Sequence, residues 1–573
     1  MVRKLNKNFI VLFFIILVAF ALRFYQLGEV PAGLTNDEAN TGYDTYSLLL
    51  TGKDQWGTFL PFNNFKGFGD YPPPVYRYLS LVPIYLFGLS QFSVRFISAL
   101  AGVMSTLMLF FVARKLFDNK TAIFSGSLFA IMPWAIGLSR VALESNLAIL
   151  FILIAIWFGF NNPQKYKIRN LLISVIFLGL SIYTYSAYVL FVPLVFFISI
   201  LENFYKSKIS LKKIWLPLLI FLIIILPSFI NKNSASVRFS QIGILNNVNS
   251  VGLINTLNDQ RGQCLKTFPT LVCKIAGNKQ VLFTGTFVKN YLAHYSPNLF
   301  YINGTATQYS ILPQRGLDYL ISSLFLIFGL YFLFAKPANK KNSFILLSLF
   351  LLSALPDSLT GDGNYSRSSV IQPFIAILGG LGLVFATSLV KKIKYKSINY
   401  LIYLIIFLVF LFSVSSFLVV YFTYFKNNYS INSQYGYEEL MTKVAKEKQN
   451  YQRIYISKHL NDTKQYAYFL FYNKYDPLKY QSKEDVLFST EANGWMSVDK
   501  IENIYFVQNP PVITEESKLA KEKILIISTP VDFPDEVKPV FLIKDRLGDV
   551  LFKAINLSDL LEYNKEHQII TTN

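Results

Sequence analysis

Residues 9–27 read FIVLFFIILVAFALRFYQL, an apolar run with a single charged side chain, Arg23. A run of this length and polarity predicts an α-helix that crosses the hydrocarbon core of a bilayer, which takes about 20 apolar residues. No small-residue cleavage site follows at residues 23–26, so we expect the run to stay on the chain as its first membrane span.

The composition supports a membrane protein along most of the chain. Of 573 residues, 53% are hydrophobic and only 15% are charged, whereas soluble domains carry about 25% charged residues. The aromatic content of 16% excludes a disordered or collagen-like chain, and two cysteines exclude a disulfide-rich scaffold.

The basic excess is confined to the part of the chain that contains the apolar runs. The formal net charge is +20, but residues 426–573 hold 19 basic and 21 acidic groups, so residues 1–425 carry a net charge of +22. Basic charge between apolar runs indicates membrane topology and contact with anionic lipid. We therefore expect no nucleic acid partner.

Further apolar runs bring the prediction to about eleven transmembrane helices. With this count, the connections rich in Lys and Arg all fall on one side, which the positive-inside rule assigns to the cytoplasm. The prediction is a multi-pass protein of the plasma membrane, with a cytoplasmic N-terminus and large outer loops at residues 28–91 and 231–315. The spans lie at residues 9–27, 92–116, 121–138, 145–160, 170–186, 188–203, 214–230, 316–335, 343–355, 370–390 and 398–425.

Two segments outside these spans have a predicted structure of their own. Residues 75–88 are apolar but too short to cross a bilayer, so they predict a helix in the outer interface. The tail predicts an extracytoplasmic soluble α/β domain, with helices at 437–448 and 465–473 and strands at 453–457, 504–507 and 524–528. The predicted fold is thus a polytopic α-helical membrane domain, residues 1–425, followed by a soluble α/β domain, residues 426–573.

The first outer loop places two adjacent carboxylates, Asp37 and Glu38, shortly after the first span, with Asp70 further along at a proline-rich stretch. A carboxylate held beside apolar surface has a raised proton affinity, so Asp37 is a candidate general base or metal ligand. The alternative is a helix cap, because Thr35 and Asn36 precede the pair and acidic residues favour the first turn of a helix. Both interpretations stay open on the sequence.

Two shorter outer connections carry arginines. Arg140 and Glu144 are four residues apart, so on one helix they would share a face and could form an ion pair. The same spacing also offers an arginine to a phosphate and a carboxylate to a metal ion or an acceptor. Arg367, at the mouth of the tenth span, either reaches lipid headgroups or binds a lipid-linked phosphate.

The long outer loop contains both cysteines and a histidine. Cys264 and Cys273 are nine residues apart, and we expect a disulfide between them, since disulfides persist outside the cytoplasm. A single histidine such as His294 is typical of a hydrogen-bonding loop residue rather than a ligand.

Taken together, these residues resemble the GT-C class of integral-membrane glycosyltransferases, and within it the protein-O-mannosyltransferase and lipid A aminoarabinose transferase group. The resemblance covers most of residues 9–425. It rests on the first span, Asp37-Glu38, Tyr71-Pro72-Pro73-Pro74-Val75-Tyr76, residues 92–102, and Ser139-Arg140 with Glu144.

The resemblance implies an inverting glycosyltransferase. The enzyme would take a hexose or pentose from a polyprenyl phosphate and transfer it to a hydroxyl of a cell-envelope acceptor, which is a lipid, a glycan or a protein. Asp37 would take the acceptor proton, with Glu38 beside it, while Glu144 and Asp70 would contact the acceptor or a metal ion. No cofactor is required, and a divalent cation near Asp37 and Glu144 stays open because members of the family differ.

The donor phosphate would be held by basic residues, since the leaving group needs its charge matched. Relatives tend to carry a basic residue just before the paired prolines, where Asp70 and Tyr71 stand here. Lys66 would replace that residue only if the loop folds back. The candidates are Arg77, Arg140, Arg367 and Lys66.

Two other functions compete with this prediction. A flippase or exporter of lipid-linked glycans would show charges inside the membrane and an internal repeat of spans, and the sequence has neither. A polysaccharide polymerase or ligase would centre on a large late outer loop rich in arginine and histidine rather than on an acidic pair after the first span.

Overall fold

The computed structural model describes two compact units, each built from two stretches of chain. We call residues 1–25 with 98–418 the helical unit, and residues 26–97 with 419–573 the sheet unit. The described residues are 7–160, 168–207, 214–230, 251–305, 315–335, 340–361, 363–428, 434–458, 464–490, 496–509 and 517–567.

α-Helices make up most of the described chain. In chain order they are α1 (Lys7–Phe24), α2 (Asn36–Thr51), α3 (Val75–Phe87), α4 (Gln91–Leu116), α5 (Asn119–Ile131), α6 (Pro133–Ser139), α7 (Glu144–Gly159), α8 (Ile168–Ile182), α9 (Phe191–Ser207), α10 (Trp215–Ile230), α11 (Val251–Cys264), α12 (Thr270–Ala276), α13 (Lys279–Ala293), α14 (Leu320–Ala335), α15 (Lys340–Leu352), α16 (Leu355–Ser358), α17 (Gln372–Val390), α18 (Lys396–Val419), α19 (Lys426–Asn428), α20 (Tyr437–Glu447), α21 (Tyr466–Tyr472), α22 (Pro477–Ser482) and α23 (Leu557–Glu566).

Every predicted span contains a helix, and so does the predicted interfacial segment, where α3 forms. By length and composition, three helical stretches of the described chain could cross a membrane: 91–116, 369–390 and 396–425. A fourth is added if α5 and α6 count as one span. The other apolar helices are shorter, so the number of eleven spans and the depth of α3 stay predictions.

The third predicted span is not one straight helix. α5 and α6 meet at a bend of 58°, because Pro133 has no N–H to donate to the Phe129 carbonyl one turn earlier. The next donor, the Trp134 N–H, bonds to the Leu317 carbonyl at 3.0 Å instead of continuing the helix. The bend therefore leaves carbonyl oxygens of α5 without their helical donors.

Side chains from elsewhere in the helical unit supply the missing donors. The buried guanidinium of Arg23 donates from Nη2 to the Phe129 carbonyl at 3.2 Å and from Nη1 to the Ala130 carbonyl at 3.0 Å. The Tyr319 hydroxyl donates to the Ile131 carbonyl at 2.8 Å. Buried carbonyls are nearly always paired in proteins, and here the pairing ties the end of α1 to the bend.

The sheet unit contains seven strands in the spatial order β2-β3-β4-β1-β5-β7-β6. β1 lies between β4 and β5 and runs parallel to both, whereas the outer pairs are antiparallel. The parallel strands are short apolar runs, typical of buried strands. The strands are β1 (Arg453–Ser457), β2 (Val486–Thr490), β3 (Met496–Ile501), β4 (Ile504–Val507), β5 (Ile524–Ser528), β6 (Phe541–Lys544) and β7 (Val550–Asn556).

The three predicted strands and both predicted helices of the tail are therefore present, as β1, β4, β5, α20 and α21. The prediction missed the four remaining strands. β2 and β6 each have only three consecutive apolar residues, and most residues of both strands are exposed or only partly buried, so neither shows the longer, fully buried apolar run of β5.

The first outer loop packs with the C-terminal residues inside the sheet unit. A Cβ at Gly42 of α2 would overlap the ring of Phe471, so only glycine allows this close approach. The Tyr43 hydroxyl donates to the Tyr475 carbonyl at 3.0 Å, and the Met496 N–H donates to the Phe68 carbonyl at 2.7 Å. The compact units thus divide the chain differently from the predicted boundary at residue 425.

The role of Arg23 at the bend can be tested by replacing it with methionine, which is similar in length but donates no hydrogen bond. Each buried acceptor left without a donor costs about 1–3 kcal/mol. We therefore expect Arg23→Met to lower the free energy of unfolding by about 2–4 kcal/mol, measured as a lower melting temperature of the purified protein. Arg169→Met, at an exposed position, is the matched control. Equal melting temperatures for the two variants would contradict the assignment.

Candidate functional site

The acidic pair begins helix α2. Thr35 precedes the helix and accepts a hydrogen bond from the Glu38 N–H at 3.2 Å, while the Glu38 carboxylate accepts one from the Thr35 N–H at 3.0 Å. This reciprocal arrangement is a capping box. The helix-cap interpretation therefore describes Glu38.

Glu38 is also paired with a buried arginine of the same unit. Arg95 donates to both carboxylate oxygens of Glu38, from Nε at 2.8 Å and from Nη2 at 3.1 Å. Arg95 also donates from Nη1 to the Pro31 carbonyl at 2.9 Å. The pair thus fixes the turn that leads into α2, and it leaves Asp37 as the exposed carboxylate of the two.

A second buried ion pair holds α2 against α3. Arg77 Nε lies 3.1 Å from Asp44 Oδ2, and both side chains are almost fully buried. Asp44 also accepts a hydrogen bond from the Gln55 N–H. Burial raises the pKa of Asp44, although Arg77 beside it acts in the opposite direction. The predicted phosphate ligand Arg77 therefore faces a carboxylate inside the unit.

The remaining candidates of the first outer loop lie in its turns. The Lys66 ammonium lies 4.7 Å from the centroid of the Trp56 ring, and burial lowers the pKa of Lys66. Asp70 is half-buried, and its Oδ1 accepts a hydrogen bond from the Phe68 N–H at 3.1 Å. Asp70 thus shapes the turn before the prolines.

Arg140 and Glu144 do not lie on one helix, so the helix face that they would share on one helix does not form. α6 ends at Ser139 and α7 begins at Glu144, with a turn between them. Arg140 is buried, and its Nη1 donates to the Leu22 carbonyl at 3.0 Å and the Arg23 carbonyl at 3.1 Å. It binds the C-terminal end of α1, where a cation complements the helix dipole.

Arg367 belongs to a cluster that the sequence did not reveal. Its Nε donates to Asp357 Oδ1 at 2.8 Å, and His294 Nε2 lies 2.9 Å from Asp357 Oδ2. The other ring nitrogen of His294, Nδ1, lies 2.7 Å from the Asn290 carbonyl. His294 is thus held through both ring nitrogens, one beside a carboxylate and the other beside a backbone carbonyl.

Charge and burial together determine the state of Asp357, which is fully buried. Burial by itself raises the pKa of Asp357, but the hydrogen bond from His294 and the charge of Arg367 outweigh it, and the pKa lies below its ordinary value. Asp357 is therefore an anion that orients His294 and Arg367.

Arg367 is the accessible member of this cluster, with 21% of its side chain exposed, against 1% for His294. It lines a cleft of about 430 Å³ together with small polar residues and glycines. Nε is held by Asp357, so the guanidinium can present its remaining N–H groups to an oxyanion in the cleft. Other lining residues are Ser296, Asn298, Gly361, Gly363 and Asn364.

Sequence reasoning missed this cluster because its members are distant in the chain. His294 and Asp357 are separated by 63 residues, and no spacing rule joins two loops at that distance. The available signal was weaker: both residues fall in outer loops of the same predicted domain, and an arginine ten residues after Asp357 lies at the same mouth.

The other predicted features of the long outer loop concern its cysteines and metal binding. Cys264 and Cys273 form a disulfide that joins α11 to α12. Among the residues that the structure describes, no group of three or more His, Cys, Asp or Glu side chains could hold a metal ion.

The buried carboxylate of Asp357 predicts a pH-dependent contribution to stability. Its pKa is depressed in the folded protein, so the stabilisation is present above its ordinary pKa of about 4 and is lost as the pH falls through the folded value. The difference in melting temperature between wild type and Asp357→Asn should be widest near neutral pH and should shrink toward about pH 3. For the control Asp535→Asn, at an exposed position, we expect no difference at any pH. A gap that stays constant would show that Asp357 is not ionised.

Part of the chain, with residues from both units, matches a known protein family. Residues 71–230 match the family model described as dolichyl-phosphate-mannose-protein mannosyltransferase. The matched segment runs from α3 to α10 and includes Arg77, Arg140 and Glu144. It begins after Asp37, Lys66 and Asp70 and ends before Arg367.

Two proteins share sequence identity with parts of the chain. An uncharacterised protein of Aquifex aeolicus is 32% identical over 121 residues, 21% of this chain and 27% of that protein. YkcB of Bacillus subtilis, named as a candidate mannosyltransferase, is 26% identical over 186 residues, 32% of this chain and 25% of that protein. The matches span about a quarter of the length of these relatives.

Solved structures are similar over a larger share of the chain. The Archaeoglobus fulgidus oligosaccharyltransferase, tethered with an acceptor peptide, has a TM-score of 0.50 over 82% of this chain and 63% of that chain, at 14% identity. ArnT from Cupriavidus metallidurans, bound to undecaprenyl phosphate, has a TM-score of 0.49 over 96% and 98%, at 12% identity.

The likeness to the oligosaccharyltransferase is one of fold. The family match adds a sequence relationship in the first half of the chain. Over residues 71–230 the chain is thus similar to the dolichyl-phosphate-mannose-protein mannosyltransferase family, which confirms the predicted resemblance.

Proposed function

We propose that the protein is an inverting glycosyltransferase that moves a sugar from a polyprenyl-phosphate donor to a hydroxyl of a cell-envelope acceptor at the outer face of the membrane. The family match supports the donor class, because the family description names a sugar carried on a polyprenyl phosphate, dolichyl phosphate. At the level of residues, the proposal is supported by the different positions of the two adjacent carboxylates. Glu38 is buried beside Arg95, whereas Asp37 is exposed.

Asp37 is the proposed general base. Its carboxylate would take the proton of the acceptor hydroxyl as the acceptor oxygen forms a bond to the anomeric carbon of the sugar. The bond from that carbon to the phosphate oxygen breaks in the same step, and the polyprenyl phosphate leaves with the bonding electron pair. A single displacement of this kind inverts the anomeric carbon and needs one base.

Arg367 is the proposed ligand of the donor phosphate. Phosphate oxygens suit the planar guanidinium, which can bind two of them at once. Asp357 holds Arg367 through Nε, and His294 holds Asp357, so the guanidinium is oriented before the donor arrives. The positive charge of the Arg367 guanidinium would stabilise the phosphate as its negative charge increases during departure.

The other candidates have different proposed roles. We assign a structural role to Arg77, Arg140 and Asp70, because each forms hydrogen bonds with groups of its own unit. Lys66 and Glu144 stay candidates for contacts to the donor phosphate and the acceptor. The proposed mechanism routes no step through a metal ion.

Replacement of Asp37 by asparagine tests the base. The change keeps shape and removes proton affinity, so we expect kcat for sugar transfer to fall by about 10²–10⁴-fold while the melting temperature stays unchanged. The measurement is transfer of radiolabelled sugar from polyprenyl-phosphate donors, extracted from membranes, to envelope acceptors. Asp535→Asn is the matched control with the same chemical change at an exposed site. Full activity of Asp37→Asn would rule out the general base.

Replacement of Arg367 tests the phosphate contact. Arg367→Gln should raise the KM for the polyprenyl-phosphate donor by about tenfold or more, since a charge-assisted contact to phosphate is lost. Arg367→Lys should restore part of the affinity, because it returns the charge without the planar fork. Arg169→Gln serves as the control. If only the KM for the acceptor changes, Arg367 contacts the acceptor and not the donor.

A further inference from the structure

The helical unit contains a second cavity, of about 250 Å³. One side is formed by the chain from Arg315 to Leu320 at the start of α14. The opposite side is formed by the last part of α18, where Phe412, Ser413, Ser416 and Phe417 face the cavity, and Pro133 and Tyr301 complete the lining. Arg367 does not line it, but Thr305 lines both this cavity and the cleft at Arg367, so the two adjoin.

The cavity combines a cation, an anion and a hydroxyl. Arg315 is exposed, and its Nη2 lies 3.4 Å from the Ser416 Oγ. Asp318 is 9% exposed; its Oδ1 accepts hydrogen bonds from the Tyr319 N–H at 2.8 Å and the Ser322 hydroxyl at 3.3 Å.

Two oxygen atoms of the lining have unused hydrogen-bonding capacity within the described part of the chain. All of the hydrogen bonds that Asp318 accepts there go to Oδ1, which leaves Oδ2 available to a donor in the cavity. The buried Tyr301 hydroxyl has no partner among the described residues. Because buried polar atoms are nearly always satisfied, the buried Tyr301 hydroxyl indicates an occupant of the cavity, and a donor group of that occupant can also reach Asp318 Oδ2.

The wall formed by α18 indicates what kind of molecule reaches the cavity. The stretch 396–425 has a mean hydropathy of 2.7, and only 6% of its apolar window is buried inside the protein. Phe412, on this wall, is 75% exposed. A helix that is apolar all round and has few protein neighbours faces hydrocarbon. The cavity therefore borders lipid, and its natural occupant is part of a lipid molecule.

We propose that this cavity binds the headgroup of a zwitterionic phospholipid with a primary amine, such as phosphatidylethanolamine. The lipid phosphate would accept hydrogen bonds from Arg315 and Ser416, and the ammonium group would donate to Asp318 Oδ2 and the Tyr301 hydroxyl. The acyl chains would lie along α18.

Charge selects this headgroup over others. A polyprenyl phosphate or phosphatidylglycerol brings negative charge and no cation, so the Asp318 carboxylate would repel it in a poorly solvated cavity. Phosphatidylcholine carries a cation whose methyl groups cover its charge, so it has no N–H to donate to Asp318 or Tyr301. This lipid site goes beyond the proposed transferase function and does not depend on it.

The test measures lipid binding to the full-length protein in detergent, by native mass spectrometry, with four probes: phosphatidylethanolamine, phosphatidylcholine, phosphatidylglycerol and polyprenyl phosphate. We expect phosphatidylethanolamine to bind about tenfold more tightly than phosphatidylcholine or phosphatidylglycerol. Similar Kd values for these three phospholipids, or displacement of phosphatidylethanolamine by equimolar polyprenyl phosphate, would overturn the proposal.

Two variants separate the contributions of the charges. Asp318→Asn retains an Oδ1 acceptor for Tyr319 and Ser322, and it should abolish the preference for phosphatidylethanolamine over phosphatidylglycerol. Arg315→Gln, at an exposed position, should weaken both lipids by about tenfold, as expected when a charge-assisted phosphate contact is lost. Unchanged preference in Asp318→Asn would leave Asp318 as a helix cap alone and refute the site. If Asp318→Asn does not fold, Arg315→Gln and the wild-type comparison decide.

A third variant tests whether lipid binding is independent of the sugar-transfer reaction. Asp37→Asn should lose sugar transfer and bind phosphatidylethanolamine as the wild type does. Retained transfer by Asp37→Asn with an intact lipid preference would reject the base alone. Lost transfer by Asp37→Asn, with no lipid preference in the wild type, would reject the lipid site alone.

Discussion

The helical unit depends on satisfying the backbone carbonyls that Pro133 frees in an apolar environment. No water is available inside such a unit to replace a missing donor, so each carbonyl needs a partner from the protein. Arg23 and Tyr319 provide these partners at three successive carbonyls. Arg140 then binds the carbonyls at the end of α1. These hydrogen bonds join the bend, the end of α1 and the start of α14 in one junction. The junction borders the cavity of about 250 Å³ that Pro133 lines.

In the sheet unit, buried arginines pair with carboxylates as well as with backbone carbonyls. Two buried arginines, Arg95 and Arg77, each face a buried carboxylate, and Arg95 also satisfies carbonyls of the turn before α2. Burying such charges costs free energy, so the main contribution of these ion pairs is to specify one conformation rather than to increase the net stability. Their effect is to fix the path of the first outer loop and to direct one carboxylate of the acidic pair inward, while the other is exposed. A helix cap and a candidate base can thus occupy adjacent positions.

The sequence predicted the helices of the spans and the central strands of the sheet, because long apolar runs and short buried strands leave strong local patterns. It did not predict the break between α5 and α6, although Pro133 was visible, since a proline in a span either bends or ends the helix according to which distant donors are available. It missed the cluster of His294, Asp357 and Arg367 for the same reason. The arrangement depends on two loops that meet in space, and one sequence without homologues carries no signal of that meeting.

The spacing of Arg140 and Glu144 did not place them on a shared helix face, because spacing implies a shared face only within an unbroken helix. The predicted roles of Asp37 and Arg367 do not depend on such a spacing, and both residues are accessible in the structure. The contact of Lys66 is intermediate between a contact that the sequence predicts and one that only the fold reveals. Its ammonium packs on Trp56, a contact formed by two residues of one loop, yet only the folded turn brings them together.

The composition of the sheet unit has a consequence for how the protein is made. Residues 26–97 leave the ribosome early, whereas Phe471, Tyr475 and Met496, which contact α2 and the loop that follows it, are synthesised after the last span has been inserted. The helix that carries Asp37 therefore lacks these packing partners while roughly four-fifths of the chain is translated. Only a finished chain can complete the surroundings of the acidic pair, so a truncated product released before the tail would contain the membrane helices without a correctly supported candidate base.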